Sequence, residues 1–184
     1  MRMLKAKHEA FEWFKAIVIA LILAFFIRTF LFAPIIVKGE SMAPTLRNSE
    51  QMIVNKIGYL FSEPKRFDII VFHANEEQDY IKRVIGLPGD HIEYIDDTLY
   101  INGQPYEEEY LEPLKKQLNT KLTYDFTLEE LTNEKRVPEG HLFVMGDNRQ
   151  YSLDSRDLGF IPMDKVVGKA SVVYWPLSRI RIAK

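Results

Sequence analysis

The rhythm of hydrophobic positions changes once along the chain. Residues 16–27 (AIVIALILAFFI) carry no polar side-chain atom on any face, whereas a surface helix would show polar residues on one side. Arg28 and Thr29 interrupt the run, and Phe30–Ala33 resumes it up to Pro34. Twelve residues are too few to span a bilayer, but Phe11, Trp13, Phe14 and the 30–33 stretch extend the apolar segment to about 23, above the roughly 20 that a span needs. Lys15 and Arg28 then sit where long cationic side chains snorkel to the interfaces. The pattern predicts one membrane helix over 16–33, preceded by a tail over 1–15 and ended by Pro34.

Beyond Pro34 the runs become short and β-type. Ile35–Lys38, Gln51–Asn55, Asp68–Phe72 and Tyr80–Leu87 are rich in Ile, Val and Phe and are bounded by Gly, Pro and Asn. Two further runs, 91–95 and 98–101, alternate around Asp96-Asp97, which predicts a tight hairpin. Asn102-Gly103 supplies the next turn. His141–Gly146 and Val166–Trp175 complete the predicted strands. Residues 106–136 are polar and highly charged and read as a variable surface excursion, with a short helix at Thr127–Asn133 capped by Thr127 and Glu130. The expected architecture is one mostly-β, antiparallel domain over 34–184 behind one N-terminal transmembrane helix.

Charge adds an orientation. Residues 1–37 hold five cations (Arg2, Lys5, Lys7, Lys15, Arg28) and two acids (Glu9, Glu12), leaving 19 basic and 24 acidic residues for the body. Lys5, Lys7 and Lys15 predict a cytoplasmic N-terminus and a body on the outer face. A cleaved secretory signal fits less well, because no A-x-A follows and Pro34 stands after Ala33. The net charge of −2 provides no basic field for nucleic acid. The absence of cysteine removes disulfides, thiol nucleophiles and thiolate metal sites. The four histidines (His8, His73, His91, His141) show no metal-ligand spacing, so neither a metal nor a cofactor is expected.

Two segments carry candidate chemistry. In the first, Ser41 follows Gly39 and precedes Pro44, which suits an exposed turn; a lone serine is more often a solvated hydroxyl or a cap. In the second, Lys82 and Arg83 lie in an apolar strand, where alternation sends them to opposite faces. A solvated face is the ordinary reading of either cation. A buried Lys82 would instead lose affinity for its proton and become a general base for a serine hydroxyl.

Together these segments resemble the type I signal peptidases, a Ser-Lys variant of the serine-hydrolase plan. The resemblance rests on Ser41-Met42-Ala43-Pro44-Thr45-Leu46, on Tyr80-Ile81-Lys82-Arg83-Val84-Ile85-Gly86-Leu87-Pro88-Gly89-Asp90, and on the stretch from Gly146-Asp147-Asn148-Arg149 to Ser152-Leu153-Asp154-Ser155-Arg156. It covers nearly the whole chain and is nearest the compact Gram-positive branch. It implies that Ser41 is the nucleophile and Lys82 its base. Ser152 would orient the Lys82 amine, Asp154 and Arg156 would form a supporting ion pair, and Asp147 and Asn148 would support the same motif. Ile35, Val37, Met42 and Ile81 would line shallow pockets for small residues at −1 and −3 of a signal peptide. Gly39 departs from the Gram-negative pattern, where a serine donates to the oxyanion, so the Ser41 N–H must carry that role, with a water or a second amide as the open choice for another donor. The implied partners are exported preproteins, the lipid bilayer and the secretion translocon. The competing readings are a catalytically silent homologue that only captures signal peptides, a self-cleaving repressor, which would need a DNA-binding helix-turn-helix, and a β-rich adhesion module, which would leave three polar motifs unexplained.

Overall fold

The computed structural model describes residues 2–26, 28, 31–118 and 120–184 of the protein. Among the described residues an N-terminal helix, Arg2–Phe26, is followed by twelve strands: β1 (Phe32–Ile36), β2 (Gln51–Asn55), β3 (Ile69–His73), β4 (Asp79–Gly86), β5 (Ile92–Ile95), β6 (Thr98–Ile101), β7 (Gln104–Tyr106), β8 (Phe126–Thr127), β9 (His141–Met145), β10 (Ile161–Pro162), β11 (Val166–Trp175) and β12 (Arg181–Ile182). The larger sheet runs β1-β2-β11-β3-β4-β9-β10, with β12 also on β11, and the smaller runs β7-β6-β5-β8. Every pairing is antiparallel.

The apolar run of β3 explains its central place. Ile69 and Val71 face a core with Val37, Met42, Leu46, Met52, Val54 and Val173, while Ile70 and Phe72 face Val84, Leu142 and Val144 on the other side. A strand buried on both faces needs a continuous rather than an alternating apolar sequence. A third core, built on Tyr94, Leu99, Phe126, Phe143 and Met145, joins the two sheets.

The predicted hairpins form: β5 pairs with β6 through Asp96 (φ 48°) and Asp97 (φ 62°), and Asn102-Gly103 turns β6 into β7. Thr127 and Glu130 make the expected capping box on helix Leu128–Thr132.

Two expectations need amendment, and the membrane span is not confirmed. Phe32 and Ala33, read with the apolar helix, belong to β1, and Pro34 lies within that strand rather than ending a helix. β1 is the outermost strand of its sheet, a place where proline is tolerated. Among the described residues no helix is long and apolar enough to cross a membrane; Glu9, Glu12 and Lys15 all fall within 9–26 of the N-terminal helix. Of the expected span 16–33, Ile27, Thr29 and Phe30 lie outside the described residues. Finally, stretch 106–136 is not all surface. It buries Glu108, Leu111, Leu122, Thr123 and Leu128.

Candidate active site

Ser41 sits in the turn that leaves β1, and Lys82 lies on β4, four strands away in the sheet. Antiparallel packing closes the gap: Lys82 Nζ stands 2.8 Å from Ser41 Oγ. Lys82 is 4% exposed. Burial is the main cause that lowers its amine from 10.5 to about 8; the Arg156 charge acts in the same direction, and the Asp154 and Asp147 carboxylates work against it. The ring of Tyr80, two residues earlier on the same strand face, lies 5.3 Å from the amine.

The backbone around Ser41 presents one bonded amide and one open one. Gly39 has φ +86°, a left-handed value that favours glycine, and donates its N–H to Asn48 Oδ1 at 3.0 Å. That amide is therefore occupied. Among the described residues the Ser41 N–H makes no hydrogen bond.

Loop 146–156 braces the Ser41 turn and, through Asp147, the Arg83 neighbour of Lys82. The Asn148 N–H donates to the Ser41 carbonyl at 3.0 Å, and its Nδ2 donates to the Glu40 carbonyl at 3.2 Å. Asp154 is fully buried and accepts from Arg156 Nε (2.9 Å) and Nη2 (2.8 Å) and from the Gly146 N–H (2.9 Å). Burial pushes the Asp154 carboxyl up, but these hydrogen bonds and the Arg156 charge outweigh it and hold the group below its usual range. Asp147 pairs bidentately with Arg83, Nε to Oδ1 at 2.8 Å and Nη2 to Oδ2 at 2.6 Å. The Ser152 hydroxyl is buried beside the Asp154 carboxylate, near enough to favour its charged form, but makes no hydrogen bond of normal geometry; the bond expected from it to Lys82 is not formed here.

A groove of about 640 Å³ passes over the pair. Ile35, Val37, Met42 and Ile81 all line it, together with Ser41, Lys82 and Leu153. Val37 and Met42 are buried in its floor, while Ile35 and Ile81 pack against the same core and remain half-buried. Its walls are two strand edges. β1 is bonded only to β2, and residues 79–82 of β4 pair with β3 on one side while the β9 pairing begins at Arg83. Both edges can bond an extended peptide laid between them.

Two buried ion pairs escaped the sequence reading. One is Arg83–Asp147, for which Arg83 offered only its place beside Lys82. The other is Arg149–Glu108 at 2.6 Å, with Tyr94 and Tyr110 around it. Three of the histidines are bonded elsewhere: His73 to Asp79, His91 to the Lys135 carbonyl, and His141 to the Glu139 carbonyl. Among the described residues no group of His, Asp or Glu side chains is placed to hold a metal.

Comparison with known proteins gives a consistent result. Residues 10–175 match the family model described as signal peptidase, peptidase S26. The chain is 51% identical over 168 residues to a signal peptidase I of Bacillus caldolyticus, covering 91% of this chain and 90% of that one. It is 42% identical over 180 residues to a signal peptidase IB of Staphylococcus aureus, covering 95% and 94%. The crystal structure of a signal peptidase I from Enterococcus faecalis V583 superposes with a TM-score of 0.56 at 50% identity, covering 59% of this chain and 97% of that one.

Proposed function

The chain belongs to the signal peptidase family, peptidase S26, and is a serine endopeptidase that removes signal peptides; within that activity we propose that Ser41 and Lys82 form the catalytic pair. The observation that carries this reading is the 2.8 Å contact of a buried lysine with the serine hydroxyl. An ammonium cannot accept a proton, and burial favours the neutral amine. The neutral Lys82 amine takes the Ser41 proton as Oγ attacks the scissile carbonyl carbon. The developing oxyanion is met by the unoccupied Ser41 N–H. Collapse breaks the C–N bond, and the Lys82 ammonium returns its proton to the departing amine, leaving an acyl ester on Ser41. A water then attacks the ester carbon as it gives a proton to Lys82; collapse breaks the C–Oγ bond, the Lys82 ammonium returns that proton to Ser41 Oγ, and the acid product ionises and leaves.

Asp154, paired with Arg156, and Asn148 hold the geometry on which this sequence depends. Ser152, buried without a hydrogen bond of normal geometry, is the hydroxyl available to steady the Lys82 amine as it changes charge. The substrate enters as an added strand between residues 35–38 and 79–82, its small −1 and −3 side chains set into the shallow pockets of Ile35, Val37, Met42 and Ile81.

Placement at the membrane fits the same reading. Phe11, Trp13, Phe14, Ile17, Leu21, Ile22, Phe25 and Phe26 are all exposed on the N-terminal helix, more apolar surface than a water-facing helix carries. With its cationic start, the apolar segment 16–33, of which this helix carries the first part, is the anchor in this reading, N-terminus inside and body outside. The site then meets preproteins as they leave the secretion translocon.

The test is cleavage of a preprotein with Ala at −3 and −1 by the detergent-solubilised protein, comparing wild type with Ser41→Ala and Lys82→Ala. Loss of cleavage in both folded variants is the expected result. Activity surviving in Lys82→Ala would move the base elsewhere, and no cleavage by wild type would favour the silent, peptide-capturing reading.

A further inference from the structure

The Glu108 carboxylate lies outside the three motifs, in the stretch that reads as surface, yet it is 5% exposed. It accepts from Arg149 Nη2 at 2.6 Å, from the Tyr110 hydroxyl at 2.5 Å and from the Tyr94 hydroxyl at 2.9 Å. Burial would raise this carboxyl, but the Arg149 charge and these hydrogen bonds hold it below its usual range, so the pair is ionic. Arg149 in turn fixes its own loop, its Nε donating to the Gly146 carbonyl at 3.1 Å. The same short loop sends the Asn148 N–H to the Ser41 carbonyl and the Gly146 N–H to Asp154. Tyr110 carries a second link, its ring lying 3.7 Å beneath the Arg83 guanidinium next to Lys82.

From this chain of contacts we infer that Glu108 is a positioning residue for peptide cleavage, acting through Arg149 to hold loop 146–149 against the Ser41 turn. It touches no reacting atom. The inference rests on the Ser41–Lys82 reading of the site. A purely structural pair behaves differently: replacing both charges of a buried pair by neutral groups of similar volume is often harmless to the fold. What neutral replacements lose is direction, and a displacement of about 1 Å at a reacting group costs on the order of 100-fold in rate.

The discriminating variant is Glu108→Gln combined with Arg149→Met in the full chain. The glutamine keeps an acceptor for the two tyrosines, and neither charge is left unpaired. Steady-state cleavage of a preprotein peptide, with active-site titration to count folded enzyme, is read below each variant's Tm. The expected result is a kcat lower by about tenfold or more per folded site with KM within about twofold, the pattern of an interaction that serves the transition state. A folded double variant with wild-type kcat overturns the inference. Ser41→Ala is run alongside: if it still cleaves, the reading of the dyad is at fault rather than the role of Glu108 alone.

Discussion

Lys82 and Ser41 are 41 residues apart in sequence, and their reactive atoms are 2.8 Å apart in space. Nothing local brings them together. The lysine is delivered by β4 through its register with β3, where Lys82 stands opposite Ile70. The serine is delivered by a turn whose carbonyl is tied to Asn148. The pair therefore exists only in the assembled sheet, which is why both its chemistry and its cost to the fold are measurable.

The cost should appear as a stability gain on losing the amine. Lys82 binds its proton with a value of 10.5 when unfolded and about 8 when folded. Between those values the unfolded state holds the proton and the folded state has released it, so stability rises with pH across that window. Below about pH 8 the charged amine is paid for in full. Lys82→Met is expected to be more stable than wild type by roughly 3 kcal/mol at pH 7, the free energy of about 2.5 pKa units. The gain should fade above about pH 10.5, as read from urea midpoints.

Gly146 sets a steric limit. A Cβ there would collide with the Ser41 carbonyl oxygen and with the Ser152 side chain, and the backbone at Ser41 cannot retreat without moving its own amide. Gly146→Ala should lower kcat by about 100-fold or more, the scale of a displaced reacting group, while a Ser-directed acylating reagent labels the variant correspondingly slowly. Wild-type labelling would contradict this contact.

Pocket size should follow the half-buried residues. Ile81→Ala opens the groove beside Lys82 without touching the pair, and Ile81 packs on the same core as Met42. Cleavage should then extend to preproteins with Val or Leu at −1 or −3, the discrimination against them falling by roughly 1–3 kcal/mol. An unchanged −1/−3 preference, measured as ratios of kcat/KM, would remove Ile81 from the pockets.

The sequence carried the strands and turns well where local chemistry decides them. Residues 51–55 and 166–175 were bounded by their β-branched runs, and Asp96-Asp97 and Asn102-Gly103 marked turns that demand positive φ. It misled where one apolar run served two elements: nothing polar separates Phe30 from Ile36, so Phe32 and Ala33 read as helix although they pair with β2. Ser41, Lys82, Asp154 and Arg156 were legible through their motifs. Glu108 was not, because its partner Arg149 lies 41 residues on and its neighbours are polar. Arg83 likewise finds Asp147 only across 64 residues. Such pairs are set by sheet order, which local patterning does not encode.

The most direct test of the Ser41–Lys82 pair is the pH dependence of Ser41 acylation, measured in single turnovers with a preprotein peptide so that chemistry limits the rate. If Lys82 is the base, the rate rises as the amine loses its proton, with a midpoint near pH 8, and reaches a plateau by about pH 10. A profile flat from pH 6 to 10 would contradict the assignment.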